Sequence, residues 1–430
     1  MISILKFDEP GFDQAFTAIL KRAEQVPVGV EKTVRDIIAA VRRDGDEAVF
    51  AYTRQFDRLD LTAATVQVQQ SEIDQALQMV EPEALAALKL AAERIAIFHR
   101  RQLQKSWMTD DEADIRLGQM VRPLDRVGIY VPGGKASYPS SVLMNAVPAK
   151  VAGVEEVIMV VPMPDGEVNP YVLAAASLAG VDKIFKIGGA QAVAALAYGT
   201  ATVPRVDKIT GPGNIYVATA KKQVFGQVDI DMIAGPSEIL IINDGSGNAA
   251  HLAADLLSQA EHDELASSIL ITTSKKMAAQ VQSAVEEQLA GLSRGSIARA
   301  SINNYGALIV AADLQEAIDF SNRIAPEHLE LAVDDPYAIL DRIRHAGAIF
   351  LGHHTPEAAG DYMAGPNHTL PTGGTARFFS PLSVDDFVKK SSLVHFTPDG
   401  LNRLGRQIIK VAELEGLTAH ARSVSIRLND

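Results

Sequence analysis

The stretch Val127–Val131, "VGIYV", is followed by the glycine turn "PGG" and then by a helical pattern, "SSVLMNAVPAKVA" at 140–152. A short β-branched run, a glycine turn and an apolar helix form one βα unit. The unit recurs. Strand patterns "EVIMVV" (156–161), "KIFKI" (183–187), "VDKIT" (206–210) and "EILII" (238–242) alternate with "NPYVLAAASLAG", "AQAVAALAYG" and "NIYVATAKKQV". Alternation of this kind predicts a parallel sheet covered by helices. A second series follows in "SSILITT", "ALIV", "LELAV" and "AIFLG", again with helices between.

The fold class is therefore α/β, with two Rossmann-like units carrying parallel sheets. The N-terminal segment is helical in pattern: "VEKTVRDIIAAVRRDGDEAVFAYTRQFD" and "EPEALAALKLAAERIAIFHRRQL" repeat apolar residues at helical spacing. From Ser380 the character shifts to "VDDFVKKSSLVHF", a helix, and a short tail. The expected division is an arm over 1–25, a discontinuous α/β domain from 26–126 and 238–380, an inserted domain over 127–237, and a C-terminal tail over 381–430.

A chain of 430 residues is too long for one compact core. Its net charge of -13 disfavours nucleic acid and anionic membranes as partners and suits a small, cationic substrate. The N-terminus lacks a basic-then-apolar signal pattern, and no apolar run is long enough to span a bilayer, so a soluble cytoplasmic protein is expected. There is no cysteine. Thiolate metal sites, iron–sulfur clusters and a thiohemiacetal route for aldehyde oxidation are excluded.

Glycines cluster after the strands of the first series: Gly133 and Gly134, Gly188 and Gly189, Gly211 and Gly213. A glycine turn opening a helix can present free N–H groups to a pyrophosphate. The G-x-G-x-x-G fingerprint is absent, because "GPGNIY" has Tyr216 at the third position. Ordinary turns that need positive φ explain any one of these glycines equally well.

"DLLSQAEHDELASS" places Gln259 and His262 three apart on a helical pattern, so both could reach one ion. A Gln/His pair is more often a solvated face. "PEAAGDYMAGPNHTLPTGG" offers Asp361 and His368 in a constrained loop, and His420 lies in the tail. Such donors suit zinc or manganese, but spacing alone does not assemble three separate segments. In "RIAPEHLEL", Pro326 ends the preceding helix. If strand alternation begins at once, Glu327 and His328 point to opposite sides and act as two separately aimed groups.

The chain resembles the histidinol dehydrogenase family over essentially its whole length. The resemblance rests on "YVPGGKASYPSSVLMNAVPAKVAGV", "ITGPGN", "DMIAGPSEILII", "DLLSQAEHD", "APEHLEL", "AGDYMAGPNHTLPT" and "EGLTAH", in order and spacing. It implies a two-step oxidation of L-histidinol, through the aldehyde, to L-histidine, with two NAD+ reduced. It implies one zinc ion per subunit, held by Gln259, His262, Asp361 and His420, and NAD contacts at Tyr130, Gln191 and Asn214. Substrate contacts would be Ser237, Gln259, His262, His328, Asp361, His368, Glu415 and His420. Glu327 and His328 would move protons. The family forms homodimers, which implies that Glu415 and His420 act in trans. Another polar alcohol such as a sulfo-diol as substrate, a zinc hydrolase, and a non-catalytic binding protein are the competing readings.

Overall fold

The structure, a computed structural model, describes residues 1–21, 29–133 and 138–428. Gly134 of the first glycine turn lies outside the described residues.

Among them, two parallel sheets dominate. The smaller has the order Lys183–Phe185, Glu156–Val160, Arg126–Tyr130, Lys208–Thr210, Asp229–Ile230. In chain order this is third, second, first, fourth, fifth. The order reverses direction between Arg126–Tyr130 and Lys208–Thr210, and a crevice for ligands opens at such a switch point. The larger sheet has the order Ser3–Lys6, Ala307–Val310, Ser267–Thr272, Glu238–Asn243, His328–Ala332, Ala348–Leu351. Leaving aside the N-terminal edge strand, it repeats the same order. The central strands of both sheets are buried on both faces, which is why they read as continuous apolar runs.

The helices Val30–Asp44 and Asp46–Asp57 do not join the larger sheet. Val34, Ile37, Val41 and Val49 share a core with Ile158, Val160, Phe185 and Val193 of the smaller one. Helix Pro82–Arg100 adds Ala91 and Ile95 to the opposite core, with Val127, Ile129 and Met159. The expected grouping of 26–126 with 238–380 is corrected accordingly. Amphipathic helices have a face to bury but no sequence label for which sheet receives it. The described part of the N-terminal arm packs on the larger sheet. Ser3–Lys6 pairs in parallel with Ala307–Val310, and Phe12 and Phe16 pack with Phe320 in the larger sheet's core.

A third, antiparallel sheet was not foreseen. Val388–Phe396 pairs along its whole length with Ile115–Pro123, which also pairs with Trp107–Met108. Its strands mix apolar with polar residues and are buried on at most one face, so they lack the continuous apolar run that marks the others. Two helices, Pro398–Leu414 and Thr418–Ser425, end the chain. No helix among the described residues is long and apolar enough to cross a membrane.

Candidate active site

Helix Leu314–Ile324 stops where Ala325 turns left-handed at φ 51°, just before Pro326. Strand structure begins at His328, so Glu327 stands outside it. Alternation therefore does not separate the two side chains. Both reach the backbone of Glu238, the first residue of the neighbouring strand. The Glu238 N–H donates to Glu327 Oε2 at 2.8 Å, and the His328 Nδ1 lies 2.9 Å from the Glu238 carbonyl oxygen. Glu327 Oε2 and His328 Nδ1 are 3.7 Å apart. The expectation of opposite sides is corrected: one residue's peptide groups aim both.

A carbonyl oxygen only accepts, so its partner Nδ1 carries a proton, and in the neutral ring Nε2 is then the lone pair. The Gln259 Nε2 also lies 3.0 Å from Nδ1. An amide N–H and a carbonyl make opposite demands on one ring nitrogen, so Nδ1 serves one of them at a time. His328 Nε2 is buried and, among the described residues, has no hydrogen-bond partner; Asp361 Oδ1 is 3.7 Å away.

Carboxylates crowd this imidazole. Glu357, which sequence reasoning missed, lies with Oε1 3.7 Å from His328 Nδ1, and its Oε2 is buried without a partner among the described residues. Burial pushes Glu327 and Glu357 up to about 8. Burial by itself would lower the His328 pKa, but Glu357, Glu327 and Asp361 lift it well above the ordinary imidazole value. Asp361 is held below the usual carboxylate range: burial opposes this, and His328, His368 and His262 outweigh it. Burial lowers His262 and His368.

His262, Glu357 and Asp361 each offer a ligand atom, all within 4.8 Å of one another. Imidazole nitrogen with carboxylate oxygen is a donor set for a divalent ion such as zinc. A cation there would relieve the crowding of the buried carboxylates, so the residues fit a metal. Gln259 is the penultimate residue of helix Ala249–Ala260, and His262 follows in the turn, its N–H donating to the Gln259 carbonyl at 3.2 Å. The two are thus not on one helical face, as expected, but across a helix end. Asp361 sits in a π-helical segment, Gly360–Ala364, a form that is frequent at functional sites. His368 Nδ1 reaches back to the Asp361 carbonyl at 3.1 Å. Ser237 immediately precedes Glu238 and is half-buried, its carbonyl accepting from the Ser267 N–H at 2.9 Å.

Glu415 and His420 are exposed on the C-terminal helices and line a shallow groove with Ile408, Val411 and Leu417. Within one chain, His420 does not join the cluster of His262, Glu357 and Asp361.

The three remaining expected residues sit at the carboxyl edge of the smaller sheet. The Tyr130 hydroxyl accepts from the Gly189 N–H at 3.0 Å, and burial pushes it up to about 12. Gln191 is buried with Oε1 unpartnered among the described residues. Asn214 caps helix Ile215–Val224, accepting from the N–H groups of Tyr216 and Val217 at 3.0 and 3.2 Å. A Cβ on Gly213 would meet Val217 Cγ1 at 2.4 Å, and one on Gly188 would meet Pro162 Cβ at 2.5 Å. Close-packed glycine turns, helix starts and an orphaned amide oxygen at a switch point fit a dinucleotide.

The two sites are joined. Residues 231–237 run from the end of the smaller sheet's last strand to Glu238. The loop after Asp361 is tied to the smaller sheet's helix Pro139–Ala152, since Asn367 Nδ2 donates to the Met144 carbonyl at 2.6 Å.

A family model described as histidinol dehydrogenase matches residues 20–428. Histidinol dehydrogenase of Syntrophotalea carbinolica is 71% identical over 430 residues, covering 100% of both chains. That of Geobacter sulfurreducens is 70% identical over 425 residues, covering 99% of both. A crystal structure of histidinol dehydrogenase from Elizabethkingia anophelis superposes with a TM-score of 0.94 at 38% identity, covering 99% of this chain and 98% of that one. With similarity at this level running end to end, the chain belongs to the histidinol dehydrogenase family and is an oxidoreductase.

Proposed function

We propose that the chain oxidises L-histidinol through the aldehyde to L-histidine, reducing two NAD+ and using one zinc ion per subunit, as a cytoplasmic homodimer. The observation that carries this reading is the buried constellation in which Glu238 aims Glu327 and His328 beside His262, Glu357 and Asp361.

In the first step the substrate C–H bond breaks as hydride leaves, and the alcohol proton goes to His328 Nε2. The Glu238 carbonyl holds Nδ1–H, so the form of His328 that has given up its Nε2 proton presents Nε2 as the acceptor. In the second step Glu327 takes a proton from water as it adds to the aldehyde carbon, His328 returns its proton to the carbonyl oxygen, and hydride leaves the hydrate so formed. A carboxyl raised to about 8 is a better base than an ordinary one, and the Glu238 N–H fixes its direction. His328 again accepts the hydroxyl proton. Zinc, when bound, would hold the substrate's imidazole and amine and so place the reacting carbon. His262 and Asp361, with Gln259 or Glu357, would be its ligands from this chain. Tyr130, Gln191 and Asn214 would hold NAD, and Ser237 and His368 would contact substrate.

Glu415 and His420 would complete the site of a second subunit. The exposed apolar residues around them, Val411, Leu414, Leu417 and Ile426, support a partner chain over this face. Incubation with histidinol and NAD+ should give NADH absorbance that a chelator removes and zinc restores. No absorbance change with histidinol would overturn the dehydrogenase reading. Turnover of a sulfo-diol in its place would redirect the substrate.

A further inference from the structure

Lys221 and Asp231 are almost completely buried and form an ion pair beneath the turn "ITGPGN". Lys221 Nζ donates to Asp231 Oδ1 and, at 2.9 Å, to the Gly211 carbonyl. Asp231 Oδ2 accepts from the Gly211 N–H at 2.8 Å, and its Oδ1 accepts from the Met232 N–H at 2.6 Å. Both polar groups of one peptide-chain residue, Gly211, are thus gripped by one ion pair.

Gly211 is itself pressed against the other side of the crevice. At φ 104°, a Cβ there would stand 2.2 Å from the Tyr130 carbonyl oxygen. Three residues on, Asn214 opens helix Ile215–Val224. A buried ion pair is weak as a stabilising device, because desolvation of both charges offsets their attraction. What this pair supplies is a single backbone position: it fixes the turn between Tyr130 and Asn214, on either side of the switch point.

We infer that Lys221 and Asp231 are a positioning pair for the dinucleotide, setting the distance between Tyr130 and Asn214 by clamping Gly211. The inference rests on the NAD reading above. Neither residue is assigned contact with the cofactor.

The test uses the full-length, metal-loaded protein. Lys221→Met alone leaves a buried carboxylate unpaired and should destabilise the fold as well as weaken binding. Lys221→Met/Asp231→Asn removes both charges together and keeps an acceptor for Gly211 N–H. It should melt close to the wild type, with unchanged metal content and histidinol binding. Its affinity for NAD+, measured by calorimetry, should fall about tenfold, the scale of losing one charge-assisted hydrogen bond, and KM for NAD+ should rise more than kcat falls. Wild-type NAD+ affinity in this variant would reduce the pair to ordinary packing and overturn the inference. If the double variant does not fold, Asp231→Glu keeps both charges but displaces the acceptor by one methylene. Weakened NAD+ binding with normal metal content supports the inference, and unaltered affinity overturns it. A wild-type protein that shows no NAD+ binding removes the cofactor reading itself, and the inference with it, and is distinguished by the wild-type titration alone.

Discussion

In the smaller sheet the candidate cofactor residues follow the carboxyl ends of the strands: Tyr130 and Gly133, Gly188 to Gln191, Gly211 to Asn214. In the larger sheet the proposed proton-transfer residues stand at the amino end of one strand, Glu327 before His328–Ala332 and His328 opening it, beside Glu238 at the start of its neighbour. Strand order is the same in both. The difference lies in the charge each edge offers. At the carboxyl edge of a βα sheet helices begin, and their free N–H groups favour anions. At the amino edge helices end, and their carbonyls favour cations. Helices Ala249–Ala260 and Leu314–Ile324 both terminate there, beside Gln259 and ahead of Glu327. A phosphate-bearing cofactor suits the first edge, and a metal with a cationic substrate suits the second. Residues 231–237 bring one edge to the other.

This contrast can be tested at each edge. The largest effect should come from the amino edge of the larger sheet. Removing metal with a chelator should take NADH formation to background and zinc should restore it, while NAD+ binding persists at the other edge. His328→Asn should lower turnover by about 10²–10⁴, the usual worth of a positioned acid or base, with metal content unchanged; normal turnover would remove His328 from the proton path. Glu327→Gln should slow aldehyde oxidation by about 10² and alcohol oxidation less, measured with each substrate separately. Its pH profile carries a sign. Burial raises Glu327 to about 8, so the basic carboxylate accumulates as pH rises through that value. Aldehyde oxidation should rise with it in the wild type and lose that limb in the variant.

Two smaller effects sharpen the comparison. Mixing inactive His328→Phe and His420→Phe proteins should recover part of the activity on subunit exchange; none despite proven exchange would place both residues in one chain's site. At the cofactor edge, Gly213→Ala should raise KM for NAD+ by about tenfold at most and leave metal content alone, because its Cβ would press on Val217 rather than on the other sheet.

The helical and strand patterns between Val127 and Leu351 were legible because burial on both faces forces continuous apolar runs. As candidates, Glu327, His328, His262 and Asp361 came from motif resemblance, and the structure places them near one another. Glu357 was not, since nothing in "PEAAGDY" distinguishes a buried acid from a helix-starting one. Nor was the antiparallel pairing of Ile115–Pro123 with Val388–Phe396, whose mixed apolar and polar strands show no continuous apolar run.

Sequence by itself determined the α/β alternation, the absence of thiol chemistry and the residue types available for proton transfer, because periodicity and composition are local properties. Tertiary structure decided which sheet the N-terminal helices cover, that Glu238 aims both Glu327 and His328, and that Glu357 meets His262 and Asp361. Those are contacts between segments far apart in the chain, set by how whole faces pack, and no local pattern encodes them.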